Sequence, residues 1–294
     1  MSKSLTSEQI KSVKGKGFLI NRGTSRFSAR ILTDCGKLTS AQLDTLSRAA
    51  EKYGSGTVLF TVRLTVEVPG IDFDDIDAFT QYIAAAGLAP GGTGAKVRPV
   101  VACKGTTCVY GLYDTRQMAL EIHRRFYEGF RNTPLPHKFK IAVGGCPNNC
   151  VKPELNDVGI IGQRLPDFDL DACKSCKTCK VSKACPVNAA QTDGSGKIFL
   201  DKTACINCGR CANTCPFDVT SKFEDRYKIH VGGKWGKSAR IGTALDSLFT
   251  RDEVFEVTER ALILFKDRGI SGERFGDTCD RLGMDTVNCE LTAR

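Results

Sequence analysis

Eight of the fifteen cysteines fall between Cys173 and Cys215, at spacings that draw thiolates together. Cys205-x2-Cys208-x2-Cys211-x3-Cys215-Pro216 is a [4Fe–4S] ligation run: three closely spaced thiolates supply three corners of a cube, and the proline ends the run so that the fourth points to another cluster. Structural zinc is the competing reading, but its four ligands normally come as two separated Cys-x2-Cys pairs. A first copy precedes it, Cys173-x2-Cys176-x2-Cys179 followed by Cys185-Pro186, with an inserted pair of residues before its last cysteine. Lys174, Lys177, Lys180 and Lys183 interleave this copy. They read either as a solvated face offsetting cluster charge or as a docking patch for an acidic electron donor.

Four more cysteines lie outside this module, in Cys103-Lys104-Gly-Thr-Thr-Cys108 and Cys146-Pro-Asn148-Asn149-Cys150. Two pairs of thiolates could bind zinc or hold a further cluster. Around them stand Arg30, Arg63, Arg98, Lys138, Lys140 and Lys152, and cations gathered beside a metal point to an anionic cofactor or substrate. Lys138 and Lys140 alternate along one strand, so both face the same side. Thiolates in such clusters belong in a reducing compartment, which makes a cytoplasmic location the expectation. A disulfide scaffold would be smaller, with an even cysteine count.

The elements that must position these groups are legible from period and punctuation. Residues 1–17 read as a polar, basic arm or short lead-in helix. Arg26 to Leu32 and Thr57 to Val68 read as strands, and Val97 to Ala102 and Phe139 to Val143 as two more, each running into a cysteine. Thr39 to Gln42 is a capping box opening a helix that Gly54 closes, and Asp75 to Ala86 is a helix stopped by Gly87. This order predicts a small mixed sheet with helices on one face. Pro90 to Gly94 reads as a hinge, and Thr115 to Phe130 as a long helix. After the cysteine-dense segment, Tyr227 to Val231 alternates again, and Thr250 to Glu253 opens a helix with Val254, Val257, Ala261, Leu264 and Phe265 on one face. A cluster-carrying module inserted into a larger domain is therefore expected.

The 294 residues suggest about two domains. The formal charge of +9 overstates the basicity, since each oxidised cluster with its four thiolates carries about −2. No nucleic-acid-binding motif accompanies the charge, so nucleic acid is not an expected partner. No apolar stretch approaches the roughly 18 residues of a membrane span, and the polar start is unlike a secretory signal. Membrane insertion is thus not expected.

Gly-Gly-Cys146-Pro-Asn148-Asn149-Cys150, with the upstream Cys103/Cys108 pair, resembles the sirohaem–[4Fe–4S] signature of the sulfite and nitrite reductases. Phe60-Thr-Val-Arg63-Leu-Thr is similar to their first-half strand, His137-Lys138-Phe139-Lys140 to their Lys-x-Lys pair, and Arg30 and Arg98 fall where the family carries substrate- or sirohaem-facing arginines. The insertion after Asp157-Val-Gly-Ile-Ile-Gly162 most resembles the ferredoxin-bearing anaerobic sulfite reductases and related small, dissimilatory-type enzymes, and the likeness extends to Gly232-Gly233 and Gly272-Glu-Arg-Phe275. There are departures. Four residues rather than five separate Cys103 from Cys108, Thr33-Asp34-Cys35-Gly36 stands where Pro-Gly-Gly is usual, and Leu64 replaces the usual Gln. Cys35 reads as a small buried residue, and Cys279 and Cys289 as structural.

The resemblance implies an α+β fold, a sulfite/nitrite reductase half-fold of mixed sheets and helices with an inserted bacterial-type 2[4Fe–4S] ferredoxin domain. It divides into a ferredoxin-like half domain (1–88), a sirohaem/[4Fe–4S] domain (89–166), the inserted domain (167–222) and a segment completing the sirohaem domain (223–294). It implies three [4Fe–4S] clusters: one on Cys103, Cys108, Cys146 and Cys150, and two crossed in the ferredoxin pattern, on Cys173, Cys176, Cys179 and Cys215 and on Cys205, Cys208, Cys211 and Cys185. Cys150 would bridge to the sirohaem iron, with Arg30, Arg63, Lys104, Asn148 and Asn149 contacting the macrocycle. Arg30, Arg98, Lys138 and Lys140 would act on the substrate, sulfite or else nitrite. A haem-free polyferredoxin is the remaining alternative. Electrons would come from a ferredoxin, a flavoprotein or iron–sulfur subunits. Larger relatives carry two copies of this half-fold, so a homodimer or larger assembly is expected, with Lys138 and Lys140 of one chain facing the sirohaem of the other; a monomer acting in cis is the rival.

Overall fold

The computed structural model describes residues 5–293, so the first four residues of the basic arm lie outside them. The rest of the arm forms α1 (Ser7–Lys14), opened by a capping box between Thr6 and Gln9. Then come β1 (Phe18–Ile20), β2 (Phe27–Ile31), α2 (Ser40–Tyr53), β3 (Leu59–Phe60), β4 (Val66–Ile71) and α3 (Ile76–Ala84). The sheet order is β1-β2-β4-β3 and every pair is antiparallel, which corrects the expected mixed sheet.

The reason lies in the expected strand Thr57 to Val68, which breaks into the β3–β4 hairpin. The Thr61 hydroxyl accepts from the backbone N–H groups of Arg63 and Thr65, both at 3.3 Å, and Leu64 adopts φ +58°. The reversal turns β4 against β2, and it sets Arg63 at the tip of the turn. Phe27, Leu46, Val68, Phe79 and Ile83 are fully buried between sheet and helices.

The second sheet runs β11-β10-β7-β6-β5. Its strands β5 (Val101–Ala102), β6 (Ile141–Gly144) and β7 (Val158–Asp167) are parallel, whereas β10 (Lys222–Val231) and β11 (Thr243–Phe249) are antiparallel. Strand β5 is shorter than expected: Pro99 has no N–H to give, and only an isolated bridge, Val97 to Phe139, extends the pairing. Between β5 and β6, α4 (Thr115–Ile122) passes into a π-helical stretch, His123–Glu128, so the long helix expected there changes pitch midway. The helices α6 (Arg251–Arg268), α7 (Phe275–Leu282) and α8 (Met284–Thr292) complete this domain.

The segment Pro90 to Gly94 is a fixed joint rather than a free hinge. The Gly91 N–H donates to the Arg30 carbonyl at 2.9 Å, the Gly92 N–H to the Tyr127 hydroxyl at 2.9 Å, and the Thr93 hydroxyl to the Lys14 carbonyl. Between β7 and β10 the chain leaves the sheet to form α5 (Lys180–Ala184) and the ribbon of β8 (Ala190–Thr192) and β9 (Ile198–Leu200). It returns in register, with Lys222 opposite Asp167 and Val231 opposite Val158.

Cys279 is fully buried in the second core, but Cys289 is exposed on α8, so the structural role expected for it has no packing behind it. Cys35 is buried, as a small apolar residue would be, and burial pushes its thiol up to about 11. The second core centres on Phe139, Phe265 and Phe275, whose ring centroids lie 5.3–5.8 Å apart with all three side chains fully buried. Truncating Phe265 to Ala is expected to cost about 3–5 kcal/mol, read by denaturant unfolding, because the cavity cannot close against two other rings.

Candidate cluster and anion-binding sites

The parallel strands give the second sheet two chemically opposite ends. At the carboxyl ends of β5 and β6 lie Cys103 and Cys146, each one or two residues past its strand. The Cys103 sulfur accepts from the backbone N–H of Gly105 (3.4 Å) and of Gly145 (3.2 Å). Cys146 lies in the field of Cys103, Cys108 and Cys150, and burial raises its thiol. The four cysteines are thus brought to one place on two loops. Tyr113 is buried beside them, and its hydroxyl donates to the Gly144 carbonyl at 3.0 Å. Asn149 takes φ +56° and donates to Glu154 at 2.7 Å, while its side-chain oxygen is buried without a partner. Asn148, Lys104 and Cys150 are exposed.

The cations gather at the other end. Arg63 reaches from its hairpin tip to the Asn156 side chain (3.0 Å) and to the carbonyls of Pro99 (2.6 Å) and Ile141 (3.4 Å). Arg30 pairs with Glu67 at 2.6 Å, and both Arg30 and Arg98 donate to the Gly92 carbonyl. Lys138 and Lys140 flank the fully buried Phe139. The sequence does not single out Arg274 or Asp157, although they organise this end. Asp157 is completely buried, accepts from Arg274 at 2.9 Å and from the Lys140 backbone N–H at 2.8 Å. Asp157 and Arg274 each lie in a segment that carries the family likeness, Asp157-Val-Gly-Ile-Ile-Gly162 and Gly272-Glu-Arg-Phe275, but nothing there pairs them, because they are 117 positions apart.

Six cations therefore meet two buried or half-buried carboxylates, Asp157 and Glu67. The consequence is visible in their acidity. Burial, and then repulsion by Arg63, Arg274 and Lys138, pulls Lys140 down to about 8. Burial likewise lowers Arg63 and Arg98 to about 10. The Nε atoms of Arg63, Arg98 and Arg274 are buried without a partner. Buried donors left unpaired are costly, and a carboxylate-rich macrocycle or a small oxyanion supplies the acceptors they lack. The residues present fit such a group.

Strand β6 separates the two ends: Lys140 precedes it and Cys146 follows it, and its four residues alone span about 13 Å. Within one chain the lysines and the cysteines therefore sit at opposite ends of this strand.

The inserted segment sorts its cysteines into two groups. Cys173, Cys176, Cys179 and Cys215 line one cavity of about 150 Å³ together with Lys174, Lys180 and Phe217. Cys205, Cys208 and Cys211 share their surroundings with Cys185, so the last cysteine of each run sits with the other run. Backbone N–H groups of Ala189 and Asn207 donate to the sulfurs of Cys185 (3.2 Å) and Cys205 (3.4 Å). Among the described residues no three His, Cys, Asp or Glu side chains converge on a single-ion position. No helix among them is long and apolar enough to cross a membrane.

Asp157→Asn is expected to destabilise the chain by about 3–5 kcal/mol, because Arg274 is left as an uncompensated buried charge. The double variant with Arg274→Met should recover much of that loss in denaturant unfolding.

The family model described as the nitrite/sulfite reductase ferredoxin-like half domain matches residues 20–86, and the nitrite and sulphite reductase 4Fe-4S domain matches residues 93–294. The chain is 32% identical over 217 residues to the coenzyme F420-dependent sulfite reductase of Methanocaldococcus jannaschii, covering 74% of this chain and 34% of that protein, so it spans about a third of that relative's length. It is 31% identical to one of the anaerobic sulfite reductase subunits of Salmonella typhimurium, covering 80% of this chain and 73% of the relative. The crystal structure of dissimilatory sulfite reductase I superposes with a TM-score of 0.73 at 22% identity, over 92% of this chain and 69% of that one. The matched families cover both sheets and both ends of the site, and the chain belongs to the nitrite and sulfite reductases.

Proposed function

We propose that this chain reduces sulfite to sulfide on a sirohaem coupled to a [4Fe–4S] cluster. The observation that carries the reading is the pairing of a four-cysteine site with a buried, under-neutralised cation cluster at the ends of the same strands. Six electrons and seven protons convert sulfite to hydrosulfide and three waters. Cys103, Cys108, Cys146 and Cys150 would hold the cluster, and the exposed Cys150 would be the residue that couples it to the sirohaem. The cofactor would supply electron-rich iron able to reduce the anion. Arg63, Arg30 and Asn149, with the exposed Lys104 and Asn148, are the groups proposed to bind its carboxylates.

The chain's own contribution is electrostatic. Arg98, Arg30, Lys138 and Lys140 bind the anion's oxygens and stabilise charge that builds as oxygen leaves. Lys140, held at about 8, gives up a proton readily near neutrality and so suits proton delivery. Arg274 and Asp157 position Lys140 by fixing the backbone on which it sits. Clusters in the inserted segment would carry the electrons singly. Thiolate clusters of this kind suit a reducing compartment.

The lysines precede β6 and the cysteines follow it, which supports a working site shared between two chains. The arrangement favoured is a homodimer with Lys138 and Lys140 facing the partner's sirohaem, against the rival of a monomer acting in cis. Mixing Lys140→Met chains with Cys150→Ser chains is expected to restore sulfite turnover that neither variant has alone, and an inactive mixture would sink the shared site.

Anaerobic protein made with a sirohaem supply should show isobacteriochlorin-type bands in the red and more iron than two ferredoxin clusters need. A plain iron–sulfur spectrum would demote the chain to an electron carrier, and relative turnover of sulfite and nitrite decides the anion. Sulfite affinity should fall as pH rises through about 8, where Lys140 loses its charge. Lys140→Met should abolish that pH step and raise Tm by a few degrees, since it removes a buried repulsion.

A further inference from the structure

The two cysteine groups of the inserted segment are not equivalent in place. The group of Cys205, Cys208, Cys211 and Cys185 faces inward. The Asn207 carbonyl accepts from the Arg164 N–H at 2.8 Å, and Cys208 bridges Arg164 on β7. Cys205 and Asn207 line a cavity shared with Pro147 and Asn149, next to the coupled-cluster cysteines. Arg210 lies 5.3 Å over the ring of Tyr110, two residues past Cys108. The inner group is therefore clamped against both cysteine loops of the second sheet.

The group of Cys173, Cys176, Cys179 and Cys215 faces outward. Cys176 is exposed, and so are Lys174, Lys177, Lys180 and Lys183. From Cys173 to Val187 the chain carries these four lysines and no acidic residue. Lys174, Lys180 and the 43%-exposed Phe217 border the outer cavity itself. A lysine-rich run with an apolar residue at the cysteine pocket has the chemistry to recognise a small acidic protein.

We propose that this face is the docking surface for an acidic one-electron carrier protein, which reduces the outer cluster and thereby the inner one. The proposal rests on the reading that both cysteine groups hold [4Fe–4S] clusters. In the step itself one electron passes from the reduced carrier to an oxidised cluster; no bond breaks and no proton moves. The carrier is oxidised by the electron that the cluster gains. Direction follows from placement, since Cys176, the exposed cysteine of the inserted segment, belongs to the outer group, whereas the inner group lies against the second sheet's cysteine loops.

The test uses the anaerobic holo chain and a small acidic ferredoxin as probe, with binding measured by calorimetry over a salt series. Wild-type protein is expected to bind, with affinity falling steeply as salt rises. Lys177→Glu with Lys183→Glu should weaken binding at least tenfold and flatten the salt dependence. Lys177→Gln with Lys183→Gln should do so to a smaller degree, and the double Arg variant should restore it. Reduction of the clusters by dithionite, followed by absorption and electron paramagnetic resonance, should be unchanged in all variants. Unchanged affinity in the Glu variant, or no binding of the probe to wild type, overturns the docking surface. Protein lacking two clusters' worth of iron and labile sulfide in the inserted segment overturns the cluster reading beneath it instead.

Discussion

The ten-residue antiparallel ladder between β7 and β10 is the constraint on which the rest of the molecule depends. On one side it extends the parallel strands β5, β6 and β7, whose opposite ends carry thiols and cations. At its open end, Asp167 and Lys222 stand opposite one another and hold both ends of the inserted segment. Arg164 anchors the junction with a bidentate pair to Asp225 at 2.6 and 2.7 Å and stacks 4.2 Å from the ring of Phe223. A shift of register by one residue would turn every side chain of the ladder to the other face and dislodge the inserted cysteines from the loops they abut.

The cation cluster shows what such rigidity allows. Six positive groups share only two carboxylates, Glu67 and Asp157, and Arg30, Arg63 and Arg98 are tied besides to carbonyls at strand starts and at the glycine joint. Arg63 is delivered by the first sheet and Lys140 by the second, so the joint at Gly91 and Gly92 fixes their relation. The accumulated repulsion is held in place by two apolar cores on either side of it. Sites of this kind sacrifice stability for recognition.

What could be read in the sequence divides by distance along the chain. The cysteine runs were legible because ligation spacing is local, and so were the capping boxes at Thr39 and Thr250, which the structure contains. The sheet of the first half was not, because an unbroken β-branched run from Thr57 to Val68 hides a turn made by threonine hydroxyls and one residue of positive φ. Pro99 is a visible interruption in the expected strand Val97 to Ala102, and that strand shrank accordingly. Asp157 and Arg274 stayed hidden, since a buried ion pair spanning more than a hundred positions leaves no spacing to recognise. The lysine pair before β6 was legible as a pair, but its separation from the cysteines became meaningful only once β6 was known to run straight between them.

Because Asp167 and Lys222 are cross-strand neighbours, the chain between them begins and ends at nearly one point. A loop closed that tightly costs the sheet little whether it is two residues long or more than fifty. The inserted segment is thereby separable from the body of the second domain. A tight turn in its place would leave the ladder's register intact, and the segment can fold or fail without unravelling a core held by hydrophobic burial. The same architecture lets a lineage gain, exchange or discard the inserted segment as a unit, while the cation cluster evolves under separate pressures.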